Sequence, residues 1–350
     1  MPMEQRCQWI GKQSVLFEKG REPYILSSAA VGGKKEGDGP LGTYLDEIIE
    51  DPMCGGKTWE EAESRLQEKA VRLAITKSGL KKEQIRYLFG GDLLGQLIAT
   101  SFGISSFQIP LFGIYGACST MGEALLLGAM TVAGGYADYV ISMTSSHTAS
   151  AEKQFRFPME YGNQRPLCAS WTVTGSGAAV LSGKKPERNE PVIRIKGGTP
   201  GKIVDFGLKD SMNMGACMAP AAADTIYRNL RDFDVPVDYY DQIITGDLGQ
   251  VGRKILIELL QEKGYDIKER HMDCGIAIYD SLTQDTHSGG SGCGCSAITL
   301  NGYIMHKMKK GDLKRVLFVP TGALLSPVSF NEGNSVPGIA HGVILETEEA

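Results

Sequence analysis

One cysteine in this chain stands where a thiol can do chemistry. In the run IYGACSTMGEALLLGAMTVAGG, Cys118 sits among small residues at the mouth of a long apolar helix. Ser119 or Thr120 is placed to cap that helix, with Glu123 three residues after Thr120. A thiol at a helix start feels the positive end of the peptide dipoles and free backbone N–H groups, and both favour thiolate. The same arrangement also holds a carboxylate or a phosphate. A buried, inert cysteine fits the position as well. The residue types therefore leave open a nucleophile, a seat for an anion, or plain packing.

The elements that must position Cys118 follow an alternating pattern. Short aliphatic or β-branched runs at residues 24–31, 85–89, 139–143 and 177–181 predict strands of a first half. Residues 58–78 predict a helix: Thr58 and Glu61 form a capping box, Ala62, Leu66, Ala70 and Leu73 share a face, and Gly79 ends it. The second half repeats the theme, with strands at 192–196, 242–245, 316–320 and 342–346 and helices at 219–230, 251–261 and near 297–307. The exposed-looking GKKPERNEP at 183–191 divides residues 1–183 from residues 184–350. YLFGGDLLGQ (87–96) and QIITGDLGQVG (242–252) echo one another at matching places, which points to duplication. The fold class is α/β.

Composition bounds the function. The 350 residues carry a formal net charge of −5, with 42% hydrophobic and 22% charged residues, so nucleic acid is not an expected partner. The cluster Lys307, Lys309, Lys310, Lys314 and Arg315 follows a helical segment, where it complements the carbonyl end of the dipole. Eight scattered cysteines without a CxxC pair read as reduced thiols, and Cys293-Gly-Cys295 lacks the partner pair a zinc site needs, so no metal is assigned. Residues 93–122 hold no charged side chain, but Gln96, Ser101, Ser105, Ser106, Gln108 and Pro110 interrupt them, so no transmembrane segment is expected. No signal peptide is read either, which suits a cytoplasmic protein.

GACSTMGEALLLGAMTVAGGYADYVISMTS resembles the nucleophile segment of the thiolase and ketoacyl synthase superfamily. In that family a cysteine at a helix start precedes a buried helix and a Gly-x-x-Asp strand, supplied here by Gly135 and Asp138. TGSGAAVLSG (174–183) resembles the strand that closes the first half. The resemblance implies a thiolase-like fold, two duplicated βαβαβαββ halves in a layered αβαβα sandwich, with the Asp247 and His287 loops in the second half. It also implies a homodimer paired through an edge strand near the nucleophile.

The family pattern breaks where catalysis needs it. Condensing enzymes of the superfamily bring a His and an Asn, or two His, to the thiol. The first matching loop here is Gly246-Asp247-Leu248-Gly249, and an aspartate beside a thiolate repels it. In the second loop, THSGGSGCG (286–294), His287 falls on the thiolase histidine; on the ketoacyl synthase pattern the asparagine falls near Ser291. VPTGALLSP (319–327) lacks the second thiolase cysteine. At most a Cys118–His287 pair remains, and an acyltransferase forming a thioester on Cys118 stands as the alternative reading.

More narrowly, the chain resembles a thiolase-like family of spore-forming bacteria linked to dipicolinic acid. That resemblance implies a non-catalytic protein that binds pyridine-2,6-dicarboxylate. It would take part in uptake into the developing spore and in release at germination. It would work beside membrane-embedded transport proteins, at the spore inner membrane or in the cytoplasm. A flat dianion wants cations or N–H donors and an apolar wall. TSSHTASAEKQFRFPMEYGNQRPL (144–167) offers His147, Lys153, Arg156 and Arg165 with Phe155, Phe157 and Tyr161. One carboxylate would rest at Cys118 and Ser119, and His147 and a lid arginine would meet the rest. No cofactor is expected; calcium would enter only with the ligand, since Asp247 alone is a poor calcium site.

Overall fold

The computed structural model describes residues 7–156 and 164–349. Ten strands form its frame. The first five are β1 (Tyr24–Gly33), β2 (Tyr87–Gly91), β3 (Leu111–Gly113), β4 (Tyr139–Ser146) and β5 (Gly175–Ser182). The second five are β6 (Val192–Thr199), β7 (Gln242–Thr245), β8 (His271–Asp273), β9 (Arg315–Val319) and β10 (Gly342–Glu348). The spatial order is β3-β2-β4-β5-β1 in one set and β8-β7-β9-β10-β6 in the other. In each set the first three strands are parallel and the fourth runs against its neighbours. The same order occurring twice is the duplication that the Gly-Asp-Leu echo suggested.

Helices cover both faces of each sheet, so the central strands are buried throughout and read as continuous small or apolar runs. Outside the first sheet lie α1 (Trp59–Ser78) and α2 (Ile98–Ser105), packed through Leu66, Ala70, Val71 and Ala74. Between the sheets run α3 (Thr120–Ala133) and a helix that starts at Cys293 and passes through a π turn, Thr299–Ile304, to Lys309. Outside the second sheet lie α5 (Met214–Asp232) and α6 (Gly249–Gln261). A further helix, α4 (Thr148–Phe155), leaves the end of β4. This is the expected αβαβα sandwich.

Why α3 can thread the middle is visible in its glycines. A Cβ on Gly128 would stand 2.8 Å from Ser142 Oγ, and one on Gly122 would stand 2.7 Å from the His341 carbonyl. Two boundaries differ from expectation. The helix expected from residue 219 starts at Met214, where the Asn213 side chain accepts from Ala216 N–H; Pro220 is carried inside the helix and does not open it. The helix expected near residue 297 starts at Cys293, because four buried residues of small volume precede Ala297. A hairpin, Cys7–Ile10 with Ser14–Phe17, joins β6, so the start of the described chain lies on the second sheet. Among the described residues, no helix is long and apolar enough to cross a membrane.

Candidate functional site

Cys118 sits on a tight turn between β3 and α3. Ala117 holds a left-handed φ of +48°, a conformation that costs an L-residue energy and aims the next side chain off the helix axis. Ser119 and Thr120 do not cap α3 with their side chains. Both hydroxyls turn back, Ser119 Oγ donating to the Gly116 carbonyl at 2.6 Å and Thr120 Oγ1 to the Ala117 carbonyl at 2.6 Å. Their work is to fix the turn. Ser119, expected as a ligand contact, is wholly buried and spent on it.

Asp247 comes from the loop after β7 and meets the Cys118 thiol. Its Oδ1 accepts from Thr321 Oγ1 at 2.7 Å and its Oδ2 from Gly292 N–H at 3.0 Å, and the thiol is its third partner. Burial without a facing cation pushes this carboxyl up to about 7. Burial likewise pushes the Cys118 thiol well above its ordinary value. The negative charge of Asp247 and the neighbouring Cys293 add to that, and only Gly292 N–H works the other way. The helix start thus does not make a thiolate here. The matching aspartate of the first half behaves differently: Asp92 turns to its own loop, accepting from the N–H groups of Leu94 and Thr100. In the second half Asp273 takes that loop-holding task, accepting from Leu248 and Gly249, which leaves Asp247 to face the cysteine.

A narrow cavity opens directly on Cys118. Cys118, Ser291 and Gly292 form the polar end; Leu93, Phe155, Met214 and Leu325 wall it; Arg156 lies on its border. Ser291 Oγ is buried and has no hydrogen-bond partner among the described residues. Arg156, at the end of α4, is oriented by Glu152 at 2.8 Å. Sequence reasoning noted Ser291 only as the place of a missing asparagine. An unpaired hydroxyl is invisible in sequence, because it depends on where a glycine-rich loop points.

The other expected contacts lie elsewhere. His147 is buried as the N-cap of α4: its Nδ1 accepts from Ala149 N–H at 3.1 Å, and its Nε2 donates to the Pro52 carbonyl at 2.8 Å. It packs on Trp59, away from the cavity wall. His287 does not pair with Cys118. Its left-handed backbone, φ +52°, turns the ring to Asp285 at 3.2 Å and to the Pro166 carbonyl at 3.1 Å. Arg165 pairs with Asp285 at 2.8 Å and lies on Trp171, outside the cavity lining. Lys153 bonds Glu60 at 2.6 Å. Phe157 and Tyr161 lie outside the described residues. None of the five histidines lines the cavity.

Comparison with known proteins places this geometry. Residues 11–346 match the family model of stage V sporulation protein AD. The chain belongs to that family. It is 43% identical to stage V sporulation protein AD of Bacillus subtilis over 336 residues, 96% of this chain and 97% of that one. Solved structures of the same fold include a variant of OleA from Xanthomonas campestris, at 14% identity and TM-score 0.61, covering 95% of this chain and 97% of that one. The Acat5 thiolase of Ascaris suum in complex with coenzyme A matches at 14% identity and TM-score 0.56, covering 94% and 100%. 3-Oxoacyl-[acyl-carrier-protein] synthase III of Aquifex aeolicus matches at 14% and 0.55, covering 93% and 99%. These likenesses establish a thiolase-like fold for this member of the sporulation family, and its site chemistry has to be argued from its own residues.

Proposed function

We propose that the cavity at Cys118 is a non-catalytic binding seat for dipicolinic acid, pyridine-2,6-dicarboxylate, serving its uptake into the developing spore and its release at germination. The observation that carries this reading is the partner of the thiol. Cys118 faces a buried carboxyl where a condensing site needs an imidazole, so its sulfur stays a neutral thiol. The rest of the lining suits a flat diacid. One carboxylate would accept from the unpaired Ser291 hydroxyl, the ring would lie between Leu93, Phe155 and Leu325, and the second carboxylate would meet Arg156. Calcium would travel only as company for the ligand; among the described residues no cluster of three His, Cys, Asp or Glu offers it a site.

Calorimetric titration with dipicolinate, beside pyridine-2-carboxylate, tests the seat. Saturable heat with the diacid and weak heat with the monoacid are expected. Arg156→Gln should weaken the diacid by roughly tenfold or more and leave the monoacid nearly unchanged, since a charge-assisted pair is worth about 1.5–3 kcal/mol. Equal losses for both compounds would remove Arg156 from the site, and absence of heat from either would sink the reading. In that event thioester mass shifts on Cys118 become the next measurement, because a stable acyl adduct would establish the acyltransferase alternative.

The edge of the first sheet supports a homodimer. All three residues of β3 are exposed, and Leu111, Phe112 and Tyr115, with Phe102 of α2 at 69%, are exposed apolar side chains. An open edge strand flanked by apolar side chains is a pairing surface. Membrane-embedded transport proteins remain the partners we propose for the sporulation role, with this protein peripheral to the membrane or in the cytoplasm.

A further inference from the structure

We infer that the cavity takes its anionic ligand together with a proton, and that Asp247 is the group that holds it. This rests on reading the cavity as a carboxylate seat. Asp247 lies one hydrogen-bond layer beneath the floor: Gly292 and Cys118, which line the cavity, are both its direct partners. A carboxylate bound against Ser291 and Cys118 therefore comes to rest beside a second, buried carboxylate.

Among the described residues, no cation acts on Asp247. Cys118 faces Asp247 from the turn before α3, and Thr321 from the segment after β9. Cys293 and Cys295 stand at the start of the second central helix, bonded to the carbonyls of Ala117 and Gly246. Cys274 follows β8, and its thiol feels the charge of Asp247. Asp273, at the end of β8, adds a further negative charge, already engaged with the N–H groups of Leu248, Gly249 and Ile276 and with the Thr245 hydroxyl. His271 is turned to Thr245 and is kept neutral by burial. Arg156, the cation on the cavity lining, is engaged with Glu152. Arg156 is shared between Glu152 and the ligand's second carboxylate, so the first carboxylate and Asp247 face one another without a cation of their own, and one proton is drawn from solvent to Asp247 as the ligand enters. The free protein already holds this carboxyl at about 7, so the step is small near neutrality and grows as pH rises.

Calorimetry with dipicolinate in metal-free buffers of different ionisation enthalpy reads the proton count directly. Wild type should take up close to one proton at about pH 8, and its Kd should rise by up to about tenfold per pH unit above about pH 7. The free ligand is fully ionised there, so the uptake belongs to the protein. Asp247→Asn should bind with no uptake and a flat Kd, while Cys118→Ala should retain the uptake, since its thiol starts protonated. Wild-type binding with no uptake and a flat Kd overturns the inference and leaves the seat standing. Uptake that persists in Asp247→Asn, or vanishes in Cys118→Ala, overturns the assignment to Asp247. No binding at any pH overturns the seat and the inference together. The wild-type proton count decides the first point even if Asp247→Asn fails to fold.

Discussion

A thiol's reactivity is set by what faces it, and here a carboxyl does. At pH 8 Cys118 should alkylate with iodoacetamide more slowly than an ordinary cysteine, and Asp247→Asn should speed it several-fold by removing the facing charge. Mass spectrometry of the Cys118 peptide over time checks this, and equal rates in the two proteins would detach the thiol from Asp247. Ser291→Ala removes a hydroxyl that finds no partner among the described residues. It should leave thermal stability unchanged and weaken dipicolinate by about tenfold, the worth of one hydrogen bond to a charged group. A loss of stability instead would make the hydroxyl structural. At this scale the sequence was partly readable. Cys118 and Asp247 could be placed by their motifs, because both follow a strand in a fixed order of elements. His147 was also placed at the right strand end. Its direction was not legible, since a residue that starts a helix can turn its ring into the cap as easily as into the cavity. His287 misled for a related reason: a left-handed backbone in a glycine-rich loop reverses a side chain without leaving a mark on residue spacing.

At the scale of elements, α1 docks on the first sheet through a polar seam as well as an apolar face. Glu63 is buried and accepts from Ser145 Oγ at 2.8 Å and Ser150 Oγ at 2.6 Å, and Gln67 donates to Ser145 and Thr100. Burial holds the Glu63 carboxyl well above the usual carboxylate range, with the charge of Asp92 adding to it. The folded protein therefore binds a proton here more tightly than the unfolded chain does. That contribution to stability is full below the ordinary Glu value and is lost as pH rises towards the folded one. Glu63→Gln keeps hydrogen-bonding atoms and removes the titration. Its melting temperature should gain on wild type by a few degrees between about pH 5 and about pH 8, and parallel curves in thermal unfolding would exclude Glu63 as the source. The helix itself was legible: Thr58 accepts from Glu61 N–H and Gly79 ends it in a left-handed turn. Glu61 departs from the expected capping box by accepting from Lys57 N–H. The seam was not legible, because Glu63 and Gln67 sit beside the apolar stripe and read as its solvated border.

For the whole molecule, duplication was the readable part. Alternating strands and helices, with one echoed strand-end motif, carry enough order to imply two similar sheets, and the structure shows the same strand order twice. The crossing of the N-terminal hairpin onto the second sheet was not readable. Its four-residue strands carry no pattern that names a partner, and both partners of Ser14, Thr199 and Asp232, lie in the second half. The exposed edge of the first sheet belongs to this scale too. Leu111→Glu with Phe102→Glu should yield a monomer by light scattering where the parent is a dimer, because two charges would have to be buried in the pairing surface. A parent already monomeric would remove the dimer.

Trp171 has a further use. Its ring meets the Lys35 ammonium at 4.1 Å and the Arg165 guanidinium at 5.0 Å. Its short strand pairs with Gly290–Ser291, the segment that brings the free hydroxyl to the cavity. Any shift of that segment must move the indole against its two cations and change its emission. Of the three tryptophans, Trp9 is open to solvent and Trp59 packs on His147, so a Trp9→Phe, Trp59→Phe protein would leave a single lamp wired to the cavity floor. Occupancy could then be followed in real time, without a labelled ligand.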